Sequence, residues 1–277
     1  MFIMNPAGLS DTGLVRTKNE DAYAIEPPLL IVADGMGGAA AGEVASSTAI
    51  SIITNELKNI SYLSDNELTN AVRQAIINAD DEIKKQTKQD TKLIGMGTTV
   101  VLAIYCDNRL LIGNVGDSRA YLITNFYRTS PSPSDSTPLP SDATAQTAIL
   151  QTIKISDSKE TGSISRITED HSLVMEMVRS GVIKEEDIRT HPMRNRITKC
   201  VGSLRDDFGD FTWLDIHDGD ILIMCSDGLW ELVHEDLIFA IVSSSKKPDE
   251  MCKRLIEAAN NAGGFDNITV IAAEFKK

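Results

Sequence analysis

Short apolar runs recur along this chain, and the connections between several of them are too brief to hold a helix. Ala22–Ile25 and Leu29–Ala33 flank Pro27-Pro28, and Thr98–Tyr105 and Leu110–Val115 flank Asp107-Asn108. Arg119–Ile123 follows at once, and Phe211–Ile216 and Ile221–Cys225 flank His217-Asp218-Gly219-Asp220. Parallel neighbours need a crossover of about a dozen residues, so connections of two to four predict antiparallel pairing. Proline donates no amide to a central ladder, which marks Pro27-Pro28 as a turn.

Helical periodicity appears elsewhere. From Gly42 to Leu57, Val44, Ala45, Ile52, Ile53 and Leu57 recur at helical spacing. Ser64 to Glu67 reads as a capping box, with Leu68, Val72, Ile76, Ala79 and Ile83 following at steps of three or four. The short loop between these helices predicts an antiparallel pair. Pro248 opens a third helix with Met251, Leu255, Ile256 and Ala259 on one face and Gly263-Gly264 at its end, before a last strand, Ile268–Ala273. Antiparallel strands with segregated helices predict an α+β layered fold and not a doubly wound one.

One stretch departs from this pattern. Thr129–Thr147 is rich in Ser, Thr, Pro, Ala and Asp, a composition that cannot offset its own ordering entropy and predicts a flexible insertion at about 128–148. Ser130 and Ser132 are candidate phosphosites within what composition reads as a linker. Ala148–Ile155 and Ser163–Thr168 are expected to form a hairpin that resumes the sheet, and no second folded domain is expected after Phe275.

Several function classes are excluded early. A formal net charge of -13 opposes nucleic-acid binding, which needs clustered Lys and Arg. No run approaches the roughly 18 apolar residues of a membrane span, and the first residues lack a secretory pattern, so a cytoplasmic protein is expected. Cys106, Cys200, Cys225 and Cys252 are far apart and read as reduced structural thiols. None of the four histidines is placed like the partner of a nucleophile.

The chemistry lies at strand ends. Leu29–Ala33 runs into Asp34-Gly35, Leu111–Val115 into Gly116-Asp117, and Ile221–Cys225 into Ser226-Asp227-Gly228, while Asp266 immediately precedes the last strand. A single Asp-Gly pair is usually only a turn. If four such ends converge, their carboxylates repel and raise one another's pKa, a cost that divalent cations remove. Carboxylates, a carbonyl and water suit Mg²⁺ or Mn²⁺ in octahedral geometry rather than zinc. The Gly35–Gly38 loop is not a P-loop, since no Gly-Lys-Ser/Thr follows. Arg16 precedes Glu20 and Asp21 in a polar loop; such an arginine is commonly a surface ion pair, and its functional alternative is a bidentate clasp on phosphate.

Eight ordered elements carry a resemblance: D-x-G-x-x-R-x-x-N-E-D, V-A-D-G-M-G-G, G-T-T-V, G-N-V-G-D-S-R, T-E-D-H-S, H-P-M-R-N-R-I-T, S-D-G-L and F-D-N-I-T-V. In this order, from about Gly8 to Ala273, they resemble the PPM family of metal-dependent serine/threonine protein phosphatases in its compact bacterial form. The resemblance implies a four-layer α-β-β-α sandwich of two antiparallel sheets, forming one catalytic domain over residues 1–277. It also implies two Mn²⁺ or Mg²⁺ ions, with a possible third, and hydrolysis by a water activated between the two ions. By position, Asp34 would bridge both ions, the Gly35 carbonyl would bind one, and Asp227 and Asp266 would complete the second. Asp117 would join Asp227 at the third site, and Asp21, Glu20 and Asn267 would support the ions from behind. Arg16 would hold the substrate phosphate, and about 172–192 resembles a mobile flap beside the cleft.

The implied partners are phosphorylated proteins and a bacterial Hanks-type serine/threonine kinase whose work the enzyme reverses; a monomer is expected. One departure is chemical: many eukaryotic members carry histidine where this chain has Met36, which cannot protonate a leaving alkoxide, so metal-held water is the candidate acid. The other is the insertion, which falls after the G-D-S-R strand. A phosphoprotein-binding module without turnover would be expected to lack a metal aspartate or the arginine, and this chain keeps Arg16, Asp34, Asp227 and Asp266. A metal-dependent phosphodiesterase would work on bis-esters in preference.

Overall fold

The computed structural model describes residues 2–37, 41–58, 60, 64–124, 162–205 and 207–277. One sheet has the strand order β1 (Ile3–Asp11), β11 (Ile268–Lys276), β10 (Ile221–Cys225), β7 (Arg119–Thr124), β8 (Ser163–Arg166). The other runs β2 (Asp21–Glu26), β3 (Leu29–Met36), β5 (Val100–Cys106), β6 (Arg109–Val115), β9 (Asp210–Asp215), with the two-residue β4 (Gly97–Thr98) pairing β3. Every pairing is antiparallel.

Side-chain alternation builds the layers. Leu30 and Val32 of β3 and Val101 and Ala103 of β5 face Leu222, Met224, Ile271, Ala273 and Phe275 of the opposite sheet, forming the core between sheets. The intervening residues Leu29, Ile31, Val100 and Leu102 face the other way, onto α1 (Ala41–Leu57) and α2 (Asp65–Gln89). On the far side, Ile221, Ile223, Val270 and Ala272 pack under α5 (Glu235–Ser244) and α6 (Pro248–Asn261). Each fully buried Leu or Ile contributes about 1.5–3 kcal/mol, and the period of two gives the central strands β3, β5, β10 and β11 two buried faces. The α-β-β-α order expected from the resemblance is therefore present.

The capping box at Ser64 and Glu67 opens α2 as expected, and Pro248 occupies the first turn of α6. Asp107 and Asn108 take positive φ in the β5–β6 hairpin, the conformation that a two-residue loop demands.

Two expected hairpins are not hairpins. The three-residue link from β6 to β7 and the five-residue link from β9 to β10 each carry the chain from one sheet to the other. Stacked sheets lie about 10 Å apart, which three extended residues can span. Gly116 and Gly219, with φ of +107° and +87°, make these corners. Short links thus enforce antiparallel geometry but do not choose between pairing beside and stacking above.

Among the elements not read from the sequence, three bear on the layers. The first is β1, whose half-exposed residues and Pro6 blur the alternation. The second is α5, and the third is the short α3 (Leu173–Arg179), which lies within the expected flap. The insertion, Ser130, Ser132 and the strand expected at Ala148–Ile155 lie outside the described residues. The second arm of that hairpin, Ser163–Arg166, does pair with β7. The four cysteines are free thiols. No described helix is long and apolar enough to cross a membrane.

Candidate active site

The two sheets bring their carboxylates together at one edge. The β2–β3 register sets Asp21 opposite Asp34. Asp117 sits at the β6–β7 corner, and Asp227 begins the four-residue helix α4 (Asp227–Trp230) directly after β10. Asp266 immediately precedes β11. Asp34 feels Asp21, Asp227, Asp117 and Asp266, and Asp227 feels Asp117, Glu231, Asp266 and Asp21. The convergence inferred from strand ends is real.

Burial is the main force on these groups, and mutual repulsion adds to it. Together they push Asp34 and Asp227 well above the ordinary carboxylate range. Burial, with Asp170 next, raises Asp117 to about 7; burial raises Asp21 to about 6 against hydrogen bonds that oppose it. Buried polar atoms are normally paired, yet Oδ1 of Asp21, Asp117 and Asp227 have no partner. Orphaned, mutually repelling oxygens fit hard divalent cations, which neutralise the charge and take up the lone pairs.

The main chain at Asp34 is fixed from both sides. Its amide donates to Thr99 Oγ1 at 2.9 Å, and its carbonyl accepts from the Thr99 amide and Thr98 Oγ1, each at 2.9 Å. Thr99 Oγ1 lies 2.7 Å from Ser118 Oγ, beside Asp117. Gly35 is needed for close approach, since a Cβ there would fall 2.2 Å from the Gly42 carbonyl oxygen and 2.5 Å from that of Glu20. The start of α1 therefore packs directly on the end of β3. Asp21 is oriented by Ser226, whose hydroxyl donates to Oδ2 at 2.7 Å and accepts the Thr269 amide at 3.0 Å.

Arg16 pairs with neither Glu20 nor Asp21. Its Nη2 donates to Asp266 Oδ2 at 2.7 Å, while Asp266 Oδ1 accepts the Asn267 amide at 2.8 Å. Asp266 is thereby turned toward the loop between β1 and β2. As placed, no three Asp, Glu, His or Cys side chains among the described residues close around one point. An ion bound beside Asp227 and Arg16 would compete for the same carboxylate.

Asn267 latches that loop. Its Oδ1 accepts the Glu20 amide at 2.8 Å, and its Nδ2 donates to the carbonyls of Thr12 and Lys18 at 3.0 and 2.8 Å. The Glu20 carbonyl in turn accepts from Ser46 Oγ of α1 at 2.6 Å.

Sequence reading passed over three participants. Glu231, raised by burial, adds a carboxylate beside Asp227 and faces Arg194 at 3.6 Å. Asp170 and Arg119 form a buried two-pronged pair at 2.6 and 2.8 Å, with Arg119 lying 3.5 Å over the Trp230 ring. The motifs G-D-S-R and T-E-D-H-S contain both residues, so the signal was there without a partner assignment. His171 is structural: Nδ1 accepts the Gly116 amide at 3.0 Å, Nε2 lies 3.2 Å from Asp210 Oδ2, and burial lowers its pKa. Beyond it, Val174, Met175 and Ile188 of the segment expected as a flap are buried in the outer core.

Comparison with known proteins agrees with this geometry. Residues 9–138 match the family described as protein phosphatase 2C. The serine/threonine phosphatase stp of Listeria monocytogenes is 32% identical over 271 residues, covering 96% of this chain and 93% of that one. The crystal structure of the Mycobacterium tuberculosis serine/threonine phosphatase PstP/Ppp superposes with a TM-score of 0.80 at 30% identity, covering 100% of both chains. A structure of the PstP catalytic domain in complex with two manganese ions superposes with a TM-score of 0.77 at 29% identity, again covering 100% of both chains. With its sheets, its strand-end carboxylates and these relatives in agreement, the chain belongs to the protein phosphatase 2C (PPM) family of metal-dependent serine/threonine phosphatases.

Proposed function

We propose that this protein removes phosphate from phosphoserine and phosphothreonine side chains of other proteins, reversing a serine/threonine kinase, and that it works as a cytoplasmic monomer. The observation that carries this reading is the set of converging, partnerless carboxylate oxygens next to a half-exposed arginine. In it, Asp34, the Gly35 carbonyl, Asp227 and Asp266 would hold two Mn²⁺ or Mg²⁺ ions, and Asp117 with Asp227 would offer a third, weaker position. When bound, such ions polarise phosphoryl oxygens and acidify water for in-line attack.

The chain's own groups do the rest. Arg16 exchanges Asp266 for the equatorial phosphate oxygens, an exchange that favours a dianion over a single carboxylate. Asp21, aimed by Ser226, and Glu20, fixed by Asn267, orient water behind the ions. Met36 offers no proton, so the leaving alkoxide takes its proton from water held in the cleft.

The test is hydrolysis of a phosphothreonine peptide with Mn²⁺, with Mg²⁺ and with chelator, beside a phosphate bis-ester. Turnover of the peptide that disappears with chelator supports the reading. A bis-ester consumed faster than the peptide would make the protein a phosphodiesterase, and binding of the peptide without turnover under either metal would make it a non-catalytic module.

A further inference from the structure

Leu14, Val15 and Phe265 are 69%, 61% and 61% exposed. Single exposed apolar residues need no explanation. These three are neither scattered nor frayed. The amides of Leu14 and Val15 both donate to the Gly264 carbonyl, at 2.8 and 3.3 Å, fastening the Arg16 loop to the turn that carries Phe265. A Cβ on Gly263 would lie 2.6 Å from the Phe265 ring, and one on Gly264 would lie 2.9 Å from Leu14 Cγ. Leu14 and Phe265 thus flank one glycine turn as a continuous apolar shelf. That shelf borders Arg16 on one strand of the loop and Asp266 on the other.

We propose that this shelf receives an apolar side chain of the phosphoprotein substrate, located within about two residues of the phosphorylated one. This rests on the phosphatase reading above and adds a substrate preference to it. An extended peptide advances about 3.3 Å per residue. Val15 and Leu14 are one and two residues before Arg16, and Phe265 precedes Asp266, the partner of Arg16, so a peptide with its phosphate on Arg16 has the shelf within reach of its neighbouring side chains. The protein's net charge of -13 disfavours acidic flanks and leaves this uncharged surface as the local contact. Three side chains are too few for a stable interface with a second copy, which takes about 1,600 Å² in total.

The experiment uses two phosphothreonine peptides differing only in leucine or serine beside the phosphothreonine, with free phosphothreonine as reference, in Mn²⁺. The wild type, Leu14→Ser, Phe265→Ser and the double variant are compared by kcat/KM. The wild type is expected to favour the leucine peptide by about tenfold, the worth of burying one apolar side chain in part. The double variant loses that preference through KM, while the serine peptide and free phosphothreonine change less than about twofold. Leu14→Ser alone, which leaves Phe265 in place, shows a partial loss.

No preference in the wild type, or a preference that survives the double variant, overturns the proposal. So does a dimer that dissociates in the variants with the preference unchanged, which makes the shelf a self-association surface. Turnover of free phosphothreonine without peptide preference defeats this inference alone. No turnover of any phosphomonoester defeats the phosphatase reading and this inference with it.

Discussion

Arg16 Nη2 and Asp266 Oδ2 lie 2.7 Å apart, which ties the group assigned to the substrate to a group assigned to a metal. The arginine side chain is half exposed, so the pair itself is worth only about 0–1 kcal/mol. It is weak enough to be exchanged. On the proposed function, phosphate and metal would each claim one partner, and binding of either would free the other.

That exchange makes Arg16→Ala a kinetic lesion and not a structural one. Losing a bidentate, charge-assisted contact costs about 1.5–3 kcal/mol, hence roughly 10- to 150-fold in kcat/KM. The melting temperature should change little. Steady-state kinetics on a phosphothreonine peptide, set beside a thermal melt, checks both halves.

The acidic cluster predicts an inverted pH response. Asp21 and Asp117 are raised to about 6 and about 7, and burial and repulsion hold Asp34 and Asp227 well above the ordinary carboxylate range as well. A carboxyl whose folded pKa exceeds its unfolded value adds stability below the unfolded pKa and loses it as pH rises through the folded one. In chelator, the protein should therefore melt at a lower temperature at pH 8 than at pH 5. Millimolar Mn²⁺ should reverse the order, since binding to the ionised carboxylates strengthens as protons leave. Melting curves at the two pH values, with and without Mn²⁺, measure this directly.

Asp80 of α2 braces the site from a distance. It is buried, and its Oδ1 accepts the amides of Gly202 and Leu204 at 2.6 and 3.0 Å while Lys84 lies 2.6 Å from Oδ2. The preceding residue, Val201, pairs with Thr98, whose hydroxyl holds the Asp34 carbonyl. Asp80→Ala strands two amides and should cost about 2–4 kcal/mol by urea unfolding. Asp80→Asn keeps an acceptor and should cost less than half as much.

The candidate ligands Asp34, Asp117, Asp227 and Asp266 were legible because apolar runs end on them, and a strand end is a property of local sequence. What they touch was not. Arg16 stands beside Glu20 and Asp21 in sequence, yet it pairs with Asp266, 250 positions away, because Asn267 folds the loop back onto the start of β11. The corners at Gly116 and Gly219 show the same limit. Link length fixes strand direction, whereas the choice of sheet depends on which apolar face finds a partner. Strand β1 escaped notice because Ile3, Asn5 and Leu9 alternate with only half-buried residues, so burial on one face leaves a weak pattern. Helix α5 and the Arg119–Asp170 pair depend on contacts between segments far apart in the chain.

Asp227→Asn removes one carboxylate from the cluster proposed to hold two catalytic ions. Manganese stoichiometry by titration calorimetry and kcat on a phosphothreonine peptide would be measured for this variant and for the wild type. The expected result is two ions of usable affinity in the wild type, loss of at least one in the variant, and a fall in kcat on the order of a thousandfold, equivalent to about 4 kcal/mol of transition-state stabilisation. A variant that binds two ions and turns over at the wild-type rate would contradict it.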